Sequence, residues 1–186
     1  MESWCPSEEE LLHLNLVCPY LKSMKLLMTD SDLFEMAKVI EETCDWDIGQ
    51  LEIHHINTDY VSQGINRLCV TFSHCLVSLK LTILDKMSWH SIQVIGRYCQ
   101  ELKLFHLDIW DKIIAYDDEP NEMKFMKLED LKIKCEDYTE PLQAFVVKYF
   151  LKNRESSLKM VQIIAHLSWL TDESFSQLWS EKNLEK

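Results

Sequence analysis

The chain has 186 residues, of which 47% are hydrophobic and 27% charged. That length suits one globular domain able to bury roughly 70% of its unfolded surface. Its 19 Lys and Arg stand against 31 Asp and Glu, a net charge of −12 with neutral His. Phosphate backbones and anionic lipid surfaces repel so acidic a chain, so neither nucleic acid nor membrane is an expected partner.

The N-terminus, MESWCPSEEELL, is acidic where a secretory signal needs a basic start. The most apolar stretch, LCVTFSHCLVSLKLTIL (68–84), is interrupted by His74 and Lys80 and does not read as a membrane span. Seven cysteines, at 5, 18, 44, 69, 75, 99 and 135, contain no C-x-x-C pair. Without a secretory signal they read as free thiols, and the expected location is cytoplasmic or nuclear.

One pattern recurs along the chain: apolar, two positions, apolar, one position, apolar. It appears as LKSMKL (21–26), IGQLEI (48–53), LVSLKL (76–81), LKLFHL (102–107), LEDLKI (128–133) and LKMVQI (158–163). The starts at 21, 48, 76, 102, 128 and 158 are separated by 27, 28, 26, 26 and 30 residues. In each copy the last two apolar positions are two apart, so they share one face of a short strand. A strand and its return segment cannot bury their own apolar face, so stacked copies must share a core.

Taken in order, residues 1–20 form an N-terminal capping segment with an amphipathic stretch at 7–17, and 21–186 hold about six repeats. After the first strand, Leu33, Met36 or Ala37, and Ile40 recur at helical spacing, with Asp30–Ser31–Asp32 as N-caps. After the second, Val61, Ile65, Leu68 and Phe72 do the same behind Thr58–Asp59. The fourth return segment, DKIIAYDDEPNEMKFMK (111–127), lacks a helical pattern, and Asp117–Glu122 reads as an exposed loop. After the fifth strand, Pro141, Leu142, Phe145 or Val146, and Tyr149 suit a helix. Asp172–Trp179 is expected to cap the far end. Met24, Met160, Trp89, Trp110 and Trp169 are expected to pack inward, and Trp4 and Trp179 to serve as capping contacts.

CPYLKSMKL (18–26), the helical half-unit TDYVSQGINRLCVTFSHC (58–75), and Cys44, Cys75 and Cys99 just before strands carry a family resemblance. The chain resembles leucine-rich-repeat proteins of the longer, cysteine-containing class, and is similar to the repeat domain of F-box/leucine-rich-repeat proteins. The resemblance implies an α/β solenoid with a parallel concave sheet and convex helices. It also implies substrate recognition for a Skp–cullin–F-box ubiquitin ligase, with cullin-ligase subunits among the partners. No F-box is read in residues 1–17. A ubiquitin-independent scaffold or inhibitor is the alternative, and a Cys- or metal-dependent enzyme a more distant one.

Catalytic motifs are not found. Gly49, Gly64 and Gly96 are too scattered to form a phosphate or oxyanion loop, and there is no G-x-S-x-G or P-loop. His54–His55 and His74–Cys75 are adjacent pairs, and neighbours on a strand point to opposite faces, so neither pair easily ligates one ion, which leaves only convergence between repeats. No enzyme activity, metal or cofactor is expected.

The alternate strand positions should face the concave surface. The central row reads Lys25, Glu52, Lys80, His106, Lys132 and Gln162, and its neighbours read Leu27, His54, Thr82, Asp108, Lys134 and Ile164. An acidic chain thus gathers Lys25, Lys80, His106, Lys132 and Lys134 on its sheet. This predicts a protein partner with an acidic or mixed-charge segment. Lys80, His106, Lys132 and Glu52 are the expected central contacts, with Leu27 and Ile164 as apolar edge anchors.

Overall fold

A computed structural model of the chain describes residues 6–28, 33–55, 61–84, 87–110, 113–114, 125–135 and 158–164. Those residues form a mixed α/β fold. In chain order they run α1 (Glu8–Val17), β1 (Ser23–Met28), α2 (Leu33–Thr43), β2 (Gln50–His55), α3 (Val61–Thr71) and β3 (Ser78–Ile83). There follow β4 (Met87–Ser88), α4 (Trp89–Tyr98), β5 (Leu104–Ile109), β6 (Ile113–Ile114), β7 (Asp130–Cys135) and β8 (Met160–Ile164). One parallel sheet contains β1-β2-β3-β5-β7-β8 in that spatial order, and a second pairs β4 with β6. The sheet is not curled, so the face expected to be concave is better described as its open face.

Each main strand after β1 begins with the same hydrogen-bond device. The Lys22 carbonyl accepts from both Gly49 N (2.9 Å) and Gln50 N (3.1 Å). The Gly49 carbonyl then accepts from Val77 and Ser78, that of Val77 from Lys103 and Leu104, and that of Lys103 from Glu129 and Asp130. Glu129 closes the series by accepting from Lys159 and Met160. These shared acceptors hold every strand in line with the one before it. As a result Met24 pairs with Leu51, Leu51 with Leu79, Leu79 with Phe105, Phe105 with Leu131 and Leu131 with Val161.

The apolar positions of the motif supply the core. Ile48, Leu76, Leu102 and Leu128, which open the second to fifth motifs, are buried, while Leu21 and Leu158 pack against the core from either end. Met24, Leu26, Leu51, Ile53, Leu79, Leu81, Phe105, Leu107, Leu131 and Ile133 are buried on one sheet face. Helical residues join the same cluster: Leu33, Met36, Ala37 and Ile40 from α2, Ile65 and Leu68 from α3, and Ile92 and Ile95 from α4. Phe72, just past α3, lies in it too, and Phe125 stacks on Phe105 with centroids 5.9 Å apart. Each of these side chains larger than Ala37 contributes about 1.5–3 kcal/mol of transfer free energy. The helices therefore lie on the buried face and leave the other open. No helix among the described residues is long and apolar enough to cross a membrane.

Two inward expectations are corrected. Met24 and Trp89 are buried, but Met160 is 53% and Trp110 48% exposed. Met160 pairs with Asp130 on the open-face parity of β8, and Trp110 lies just beyond the end of β5. The expected N-caps at 30–32 and 58–59, the helix at 141–149, the loop Asp117–Glu122, the cap Asp172–Trp179, and Trp4, Trp169 and Trp179 fall outside the described residues.

Helix α1 starts with a capping box. Ser7 Oγ accepts from Glu10 N at 3.3 Å, and Glu10 Oε2 accepts from Ser7 N at 2.7 Å. Leu11 is buried in the core, and Asn15 Nδ2 donates to the Thr43 carbonyl at 3.0 Å, tying α1 to the end of α2. Trp46 Nε1 adds a hydrogen bond to the Cys18 carbonyl at 3.0 Å.

Helices α2 and α3 approach closely at Gly64. A Cβ there would sit 2.7 Å from Leu33 Cγ and 2.9 Å from the Leu33 carbonyl carbon. The side chain could turn away, but the backbone could not, so α2 and α3 would have to separate. Overpacking costs of about 1–3 kcal/mol compete with a gain of about 1 kcal/mol in helix propensity. Because the contact includes backbone atoms, the cost is taken to exceed the gain, and Gly64→Ala is expected to lower stability by up to about 2 kcal/mol in denaturant unfolding. Equal or higher stability would mean that the helices are not in this close contact.

Candidate functional site

The open face is built by register. Lys25, Glu52, Lys80, His106, Lys132 and Gln162 are successive pairing partners across the six strands. So are Leu27, His54, Thr82, Asp108, Lys134 and Ile164. All twelve residues expected at a binding face are thus brought together in two straight rows. Adjacent members of a row lie about 4.8 Å apart, so six strands span roughly 24 Å. A third row toward the strand starts was missed: Ser23, Gln50, Ser78, Leu104, Asp130 and Met160. Extending the period-two alternation one step backward would have found it.

Electrostatics subdivides this face. Glu52 Oε1 receives both Lys25 Nζ at 2.5 Å and His54 Nε2 at 2.6 Å. His106 Nε2 lies 3.3 Å from Asp130 Oδ2, and Lys134 Nζ lies 3.4 Å from Asp108 Oδ1. The last two are attractive by proximity without hydrogen-bond alignment, since His106 Nε2 and Asp108 Oδ1 are enclosed and make no hydrogen bond. Half-exposed pairs of this kind contribute only about 0–1 kcal/mol to stability. Their larger effect is on potential: Lys25, His106 and Lys134 each face an acid from the same sheet. Lys80 and Lys132 make no ion pair with any described residue. The broad basic track expected from the sequence narrows to these two lysines, two strands and about 10 Å apart.

Apolar surface frames them. Leu27 on β1 and Ile164 on β8 are exposed at opposite edges, where the two anchors were expected. Trp110, expected in the core, instead holds its ring 5.0 Å from Lys134 Nζ at the end of β5. This cation–π contact places an aromatic surface at the margin of the charged rows. Trp110 keeps the outward parity of His106 and Asp108, and its backbone N–H still donates to the Ile83 carbonyl at 2.9 Å, so extending the period-two alternation one step forward would have placed it outward.

Among the described cysteines, Cys44 and Cys69 do not resemble activated nucleophiles. Cys44, Cys69 and Cys99 are buried. The neighbouring Cys99 thiol and burial push the Cys69 thiol up, and desolvation raises Cys44. Buried thiols held in the protonated form are poor nucleophiles. A second expectation about side-chain geometry is corrected at His74–Cys75. This pair lies in the turn before β3, so the opposite-face rule for strands does not govern it. Asp47, His74 and Cys75 bring one oxygen, one nitrogen and one sulfur within 4.8 Å of one another.

Compared with known proteins, the chain matches no family model, no curated protein and no solved structure.

The Glu52 cluster makes a pH-dependent contribution. Hydrogen bonds from His54 and then Lys25 lower the Glu52 pKa to about 2. A depressed folded-state pKa gives stability that is present above the ordinary carboxylate range and lost as pH falls through the folded value. Glu52→Gln is therefore expected to flatten the loss of stability between about pH 4.5 and pH 2 in urea titrations. An unchanged slope in that window would show that Glu52 is not held charged by these two partners.

Proposed function

We propose that the chain is a non-catalytic protein-recognition module whose fold is a leucine-rich-repeat solenoid. Its open sheet face receives a partner segment carrying acidic groups. The fold part of this reading is supported by strands that pair in chain order at steps of 26–30 residues, with helices covering one face only. One observation carries the functional part: Lys80 and Lys132 project from the open face while the acids Glu52, Asp108 and Asp130 are each matched by a base.

The face's remaining charge is therefore cationic, although the chain as a whole is acidic. Like charges elsewhere would discourage nonspecific approach, and the two lysines would favour an acidic segment laid across the strands. Trp110 and the apolar edge residues Leu27 and Ile164 would supply desolvated contact area beside the charges. In this reading the module presents substrates to a Skp–cullin–F-box ubiquitin ligase, as the family resemblance implies. A ubiquitin-independent scaffold uses the same face and differs only in what else is bound.

Charge reversal separates these outcomes. Lys80→Glu with Lys132→Glu is expected to leave the circular dichroism spectrum unchanged, because both side chains project from the sheet. Affinity purification from cells with quantitative mass spectrometry should then lose at least one protein at least tenfold relative to the unmodified chain. Cullin-ligase subunits retained by both chains would support the ligase reading, and their absence from both would leave the scaffold. An identical set of captured proteins would remove the open face as the binding site.

A further inference from the structure

We propose that Asp47, His74 and Cys75 form a binding site for a zinc-class divalent cation at the rim where β2 and β3 begin. The donor atoms come from two consecutive loops and lie within 4.8 Å of one another. Asp47 is supplied by the loop entering β2, and His74 and Cys75 by the turn that follows α3. All three precede their strands, so the site is separate from the open face and does not rest on its proposed role.

The present geometry is close to what such an ion requires. Zinc bonds of about 2.0–2.3 Å in a tetrahedral arrangement place ligand atoms roughly 3.3–3.8 Å apart. His74 Nε2 is already 3.2 Å from Asp47 Oδ1. A cation between them would take the place of this contact, with His74 ligating as the neutral tautomer that carries its proton on Nδ1. Cys75 Sγ is turned toward the carbonyls of Ile48 and Phe72, at 3.4 Å from each. These are weak thiol hydrogen bonds, and rotation of the side chain would release the sulfur toward the other two donors.

Lys22 Nζ holds the second Asp47 oxygen at 2.8 Å and leaves Oδ1 for the ion. Such an outer contact fixes a ligating carboxylate in place, although the ammonium charge also opposes a nearby cation. One carboxylate and one thiolate balance a charge of +2, and coordination sends the Cys75 thiol proton to solvent. The sulfur–nitrogen–oxygen set suits zinc or cobalt and disfavours calcium and magnesium, which take oxygen ligands. Asp47 and His74 are exposed, so the fourth position opens to water.

The test uses the reduced full-length chain titrated with Co²⁺. The expected result is one bound equivalent, with thiolate-to-cobalt absorption in the near ultraviolet and visible bands of a tetrahedral ion. Zn²⁺ should displace it. Cys75→Ser should abolish the thiolate band, and His74→Ala and Asp47→Asn should each weaken Co²⁺ binding at least tenfold, with circular dichroism confirming the fold. A thiolate band that survives in Cys75→Ser, or the absence of stoichiometric binding, would overturn the site. If Cys75→Ser does not fold, unchanged binding in both other variants overturns it equally.

Discussion

The structure depends on one repeated constraint, a carbonyl that accepts hydrogen bonds from two successive N–H groups at the start of the next strand. It recurs at Lys22, Gly49, Val77, Lys103 and Glu129. Each bond is individually modest, about 0.5–1.5 kcal/mol net. Their collective consequence is register. A one-residue slip in any strand would turn its buried apolar set toward solvent and its polar set into the core. The hydrogen bonds and the burial of residues such as Leu51, Leu79 and Phe105 therefore select the same alignment.

That alignment also controls chemistry. Residues 26–30 positions apart become neighbours in a row, so the charge at each strand position is read against its lateral partners rather than its sequence neighbours. Glu52 is drawn to Lys25 on the preceding strand, and Lys134 to Asp108. Lys80 and His106 stand side by side, followed by Lys132. Placing these basic groups together is unfavourable by itself, although screening by water keeps the cost small. We read the two lysines, which make no ion pair with any described residue, as the feature that a partner would complement.

The rim where strands begin is a different environment from the face. Its loops bring Lys22, Asp47, His74 and Cys75 together from three successive strand entries. Here stacking acts on turns, which can orient adjacent side chains to the same side. The His74–Cys75 pair illustrates the difference: alternation separates neighbours on a strand, whereas a turn permits both to approach Asp47. At the opposite strand end the exposed Trp110 still follows the alternation of β5.

The sequence by itself determined the positions of the six main strands, the inward motif residues from Met24 to Ile133 and the membership of two open-face rows. It could do so because period-two alternation and a near-constant repeat spacing are local, additive signals. Helices α2 and α3 were legible for the same reason, through Leu33, Met36, Ala37 and Ile40 and through Ile65 and Leu68. Only the tertiary structure decided which lysines lack an acid among the described residues, how Gly64 meets Leu33 and that Asp47 meets His74 and Cys75. Those facts depend on lateral distances of a few ångströms and on turn geometry. Neither can be read from residue spacing, because the contacts form between side chains whose directions are set by their three-dimensional neighbours.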